Sequence, residues 1–86
     1  MLKKYAIRFI HGGRSRTYVL QDVGTVDAIC TALDLLELDV PGISMTAGLC
    51  VVAKAWPEGA HLAEEGDGPV LDTTRPHRAP AMLEAA

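Results

Sequence analysis

Residues 3–11 and 14–21 are two strand-like runs of mixed apolar and polar residues, and only the dipeptide Gly12-Gly13 separates them. A period of two is the pattern of a half-buried strand, and a glycine pair between two such runs supplies the positive φ angles of a two-residue hairpin turn. Counting outward from the turn predicts the register. His11 faces Arg14, Phe9 faces Arg16, Ile7 faces Tyr18 and Tyr5 faces Leu20, so Tyr5, Ile7, Phe9, Tyr18 and Leu20 share one face. The other face takes Lys4, Ala6, Arg8 and Ile10 opposite Gln21, Val19, Thr17 and Ser15. A slip of one residue would spoil this sorting, so burial of one face locks the pairing.

The period then changes. Gly24 breaks the alternation, Thr25 is a candidate N-cap, and Val26, Ile29, Cys30, Leu33 and Leu36 recur at helical spacing, which predicts a helix over 26–38. Ala28, Ala32 and Leu35 widen the apolar stripe, while Asp27, Thr31 and Asp34 take the opposite side. Pro41-Gly42 stops the helix and suits the centre of a type II turn. Residues 43–46 read either as a short strand or as loop. The run 49–56 is almost continuously apolar, with Lys54 its only charge, as expected of a strand covered on both faces.

Beyond Pro57 the composition is rich in proline and glycine, with an acidic patch at Glu64, Glu65 and Asp67 and no aromatic residue. Such a segment has little apolar surface to offset its ordering entropy. The expected organisation is therefore an α+β domain over 1–57, of ββαβ or ββαββ order. In it a small antiparallel sheet is covered on one face by the helix, and 58–86 follows as a disordered tail with a weak helical tendency over 79–86.

Charge adds an asymmetry that the net value of −3 conceals: residues 1–21 carry five cations and no acid, the remainder three cations and eleven acids. Two cysteines are too few for a disulfide framework, and the apolar neighbours of Cys30 and Cys50 predict buried thiols. No signal-peptide pattern or membrane-length apolar run is present, so a cytoplasmic protein without a membrane partner is expected.

Candidate chemistry is sparse. His11, His61 and His77 have no second ligand at metal-binding spacing, and Ser15, Ser44 and the cysteines lack a nucleophile context, so neither metal, cofactor nor catalytic residue is expected. Arg8, His11, Arg14 and Arg16 are candidate polyanion-binding residues on a basic β-ribbon. Against nucleic acid stand the acidic total and a register that sends Tyr5, Phe9 and Tyr18 inward. The stronger expectation comes from the face that a single helix leaves open. It holds Ala6, Ile10 and Val19 with one alternate set of the last strand, either Leu49, Val51, Ala53 and Ala55, or Cys50, Val52 and Trp56. Taking the second set, Ala6, Ile10, Val19, Val52 and Trp56 form an apolar partner-binding patch, with a second copy of the chain as its expected occupant.

The layout of hairpin, helix, strand and acidic tail resembles that of small accessory proteins of phages and mobile elements, including anti-CRISPR inhibitors of host defence. The likeness covers residues 3–56 in order and size and carries no motif. It implies a non-enzymatic module that occupies a surface on a larger host assembly, with a nucleic-acid-binding regulator as the alternative.

Overall fold

The computed structural model describes residues 1–65 and 68–74. The sequence forms strands β1 (Lys3–His11) and β2 (Arg14–Asp22), helix α1 (Thr25–Asp39), a 3-10 turn (Ile43–Met45), strand β3 (Cys50–Ala55), helix α2 (Gly59–Glu65) and strand β4 (Val70–Asp72). The fold is α+β. Its sheet has the order β3-β1-β2-β4, with β1 antiparallel to both neighbours and β4 parallel to β2. The sheet is thus mixed, where an antiparallel one was expected. The chain crosses from β3 to the far side of the hairpin, and that crossover carries α2.

Every hairpin pairing expected from the turn is present, from Tyr5 opposite Leu20 to His11 opposite Arg14. Gly12 and Gly13 have φ of 59° and 77°, a left-handed pair that strains any side chain with a Cβ. On the inner face Tyr5, Ile7, Phe9, Tyr18 and Leu20 are buried with Ala28, Ala32 and Leu36 of α1. Phe9 and Tyr18 meet edge to face, with ring centroids 6.2 Å apart.

The helix is rotated from the expected stripe. Ala28 and Ala32 are fully buried, Ile29 and Leu33 are half-buried on the flank, and Val26 is 73% exposed. Two alanines one turn apart let the helix axis approach the aromatic residues of the sheet, so the small side chains take the centre of the contact. The same rotation puts Cys30 on the surface, and Cys50 is exposed on β3, so the expected burial of both thiols is corrected. Gly24, with extended backbone, is the N-cap in place of Thr25, which lies within the helix. Gly42 has φ 88° and ψ −3°, and the amide of Ile43 donates to the carbonyl of Val40, as a type II turn requires. Residues 43–45 form a 3-10 turn, which settles the strand-or-loop ambiguity there.

The largest departure follows Pro57. Helix α2 lies on β1, β2 and β3 across the face opposite α1, and Ala6, Thr17 and Val19 beneath it are 0%, 1% and 1% exposed. Arg8 anchors it: Nη2 donates to the carbonyl of Leu62 at 2.6 Å and Nε to Thr17 Oγ1 at 3.3 Å. Gly59 sits where a Cβ would lie 2.6 Å from the Lys54 carbonyl and 2.9 Å from the Trp56 ring, so the entry to α2 has no room for a side chain. Strand β4 is held to β2 by the amide of Thr17 on the Pro69 carbonyl and that of Thr73 on the Val19 carbonyl. The expected tail therefore contributes a helix and a strand to the domain. Asp67 of the acidic patch and the weakly helical stretch 79–86 lie outside the described residues.

Candidate functional site

Coverage of both sheet faces redistributes the expected partner-binding residues. Ala6 and Val19 are buried under α2, and Val52 and Trp56 are half-buried. Trp56 stacks beneath the Lys4 ammonium, 4.3 Å from the ring centroid. Only Ile10, near the hairpin tip, reaches the surface, at 37% exposure. The open apolar face expected from a single helix is corrected for a simple reason: the chain covers it with its own second helix.

Among the described residues, what remains open is an edge. Strand β3 ends the sheet on one side, and the ladder pattern determines which of its backbone groups are unused. The amide of Trp56 donates to the carbonyl of Lys4, so Lys4 and Trp56 are a hydrogen-bonded pair. In an antiparallel ladder such pairs alternate, so Cys50, Val52 and Lys54 also bond to β1. The amides and carbonyls of Val51, Ala53 and Ala55 therefore point outward, and no described residue bonds to them. The strand has no proline or bulge, and Lys54 is its only charge. Edges are commonly blunted by such features or by shortness, which protects the three-residue β4 at the other side.

The basic candidates separate as well. Arg8 points to the α2 side, where its guanidinium is committed to Leu62 and Thr17. His11, Arg14 and Arg16 gather on the α1 side, around a cleft of about 550 Å³ at the hairpin tip whose apolar lining includes Phe9, Leu36, Val40, Ile43 and Leu49. Sequence reasoning located these three cations but not the floor beneath them, because Val40, Ile43 and Leu49 come from the irregular connection between α1 and β3.

Two acids of α1 organise the cleft's surroundings. Asp39 Oδ2 accepts from the Tyr18 hydroxyl at 2.5 Å and from Arg16 Nη1 at 3.4 Å. Burial, followed by the bond to Asp39 and its negative charge, pushes the Tyr18 phenol up to about 12. Glu37 accepts from the amides of Gly42 at 2.6 Å and Ser44 at 3.1 Å, and these bonds hold its carboxyl below the usual range. The connection that walls the cleft is thereby pinned to the helix.

Among the described residues no group of three or more His, Cys, Asp or Glu is placed to hold a metal ion, and no helix is long and apolar enough to cross a membrane. No protein-family model, curated protein or solved structure matches the chain.

Proposed function

We propose that this chain is a non-enzymatic protein-interaction module that takes its partner by strand addition at the free edge of β3. The observation that supports it is the β3 edge, without proline or bulge and with Lys54 as its only charge, whose backbone groups at Val51, Ala53 and Ala55 bond to no described residue and match those of an incoming extended segment. Main-chain bonds supply the affinity. Val51, 43% exposed, and the small Ala53 and Ala55 set what side chains an incoming strand can bring to the α1 side. A second copy of the chain is one such partner, now through the edge and not through the covered face. A cytoplasmic, mobile-element setting is compatible with this role, and the role does not require it.

The competing nucleic-acid role draws less support. Base stacking needs exposed rings, yet Tyr5, Phe9 and Tyr18 are 3%, 4% and 1% exposed, and Arg8 is committed to Leu62 and Thr17.

Val51→Pro is a selective test, because the amide it deletes faces outward and β1 loses no hydrogen bond. Partner capture is run with wild-type and Val51→Pro baits, and sedimentation of both reports self-association. Partners or dimers retained by the wild type and lost in a folded Val51→Pro protein are expected. An unchanged set of partners overturns the edge as the binding surface.

A further inference from the structure

We infer that the cleft at the hairpin tip is a binding site for a small amphiphilic carboxylate, a ligand that joins an aliphatic body to one carboxylate group. The floor is not a shallow surface patch. Phe9 and Leu36, which line it, are core side chains only 4% and 3% exposed, and Val40, Ile43 and Leu49 extend the apolar wall outward. A volume of about 550 Å³ lies within the range of small-molecule pockets.

Charge selects among ligands for such a floor. Among the described residues the ionisable side chains lining the cleft are His11, Arg14 and Arg16, and no described acid lines it. Two acids of α1 beside its wall are engaged elsewhere: Asp39 accepts from Arg16 Nη1 and from Tyr18, and Glu37 is turned to the amides of Gly42 and Ser44. A guanidinium has five N–H donors, so Arg16 keeps capacity for a ligand after its bond to Asp39, and Arg14 at the exposed tip adds a second fork. A wholly apolar occupant would desolvate these cations without a partner, and a hydrophilic polyanion would leave the floor wet. Only a molecule with both parts satisfies floor and rim. None of Val51, Ala53 and Ala55 lines the cleft, so the inference does not rest on strand addition.

The test is an amide-resolved NMR titration of the whole chain with decanoate, below the concentration at which it self-associates, with decanol and decylamine in parallel. Shifts are expected at Gly13, Arg14, Val40 and Leu49. Decanoate should bind about fivefold more tightly than decanol, the upper range for solvent-accessible ion pairs, and decylamine more weakly than either. Arg14→Gln combined with Arg16→Gln should bring decanoate to the level of decanol, in a protein whose remaining amide spectrum shows the fold intact. Equal affinity for decanoate and decanol, an absence of shifts, or shifts confined to the separate hollow beside Lys4, Trp56 and Ala63 would each overturn the inference.

Discussion

Replacing Leu62 with alanine probes the element that most changes how this domain is understood. Leu62 is the buried large apolar residue of α2, 9% exposed, on a helix that seals Ala6, Thr17 and Val19 from water. Truncating a buried leucine to alanine costs about 2–5 kcal/mol, and a side chain that keeps 9% exposure on a short helix falls near ~2 kcal/mol. For a domain of this size each kcal/mol moves the melting temperature by about 4–8 °C, so Leu62→Ala should melt roughly 8–16 °C below wild type. Val26→Ala is the matched control: Val26 is 73% exposed, so the change should stay within about 0.5 kcal/mol. Thermal unfolding followed by circular dichroism reads both. A Leu62→Ala protein melting within about 2 °C of wild type would refute the claim that α2 packs on the sheet.

Truncation after Pro57 should be more severe than Leu62→Ala, because it also removes β4 and the carbonyl that Arg8 holds at 2.6 Å; a cooperative, wild-type-like melt of the truncated chain would contradict this. Tyr18→Phe should lose about 1–2 kcal/mol, the low range for a bond to a charged partner because Asp39 is solvent-exposed, as measured by urea unfolding. The Tyr18 phenol is raised from 10.0 to about 12, so its contribution is complete below pH 10 and is lost as pH rises through 12, which phenolate absorbance and melting temperature against pH should register together. The Glu37 carboxyl is lowered, so its clamp on the 40–46 connection holds above pH 4.5 and weakens as pH falls through the depressed value; Glu37→Ala should accelerate amide exchange at Gly42 and Ser44 without unfolding the sheet. Cys30 and Cys50 should both react with a thiol reagent in the native protein, and protection of either would contradict its exposure.

The hairpin was legible because two constraints, a glycine pair at the turn and the gathering of five large apolar side chains on one face, fix one register between them. Helix α1 was legible in extent but not in rotation, since Val26 and Ala28 both fall within the apolar arc and only the packing distance to Tyr5 and Tyr18 decides which goes inward. Nothing in the composition of 57–86 announces α2. Its single large buried side chain, Leu62, is diluted among alanine, glycine and acids, and its anchor, Arg8, lies 54 residues earlier in the chain. That anchor had a different meaning in sequence, as one cation in a basic ribbon. Of the candidate site, the cations His11, Arg14 and Arg16 were visible, whereas the wall of Val40, Ile43 and Leu49 was assembled by a connection with no periodicity of its own.

The covering of the second face also changes what an interaction surface on this domain can be. A nearly continuous apolar strand such as 49–56 points to burial on both sides, and a partner protein is one way to provide it. Here α1 provides it at Ala53 and Ala55 and α2 lies over the face that carries Val52, so the apolar character of β3 no longer calls for a partner. Side-chain burial cannot, however, satisfy the backbone groups that Val51, Ala53 and Ala55 turn away from the sheet. Among the described residues those groups have no partner; they gain little from any purely apolar contact, but they match the unpaired row of another strand one for one. Recognition at this edge is therefore governed by backbone geometry first and side-chain identity second. It follows that substituting Lys54, whose backbone faces β1, should alter which partners are admitted. Proline at Val51 should abolish their admission altogether.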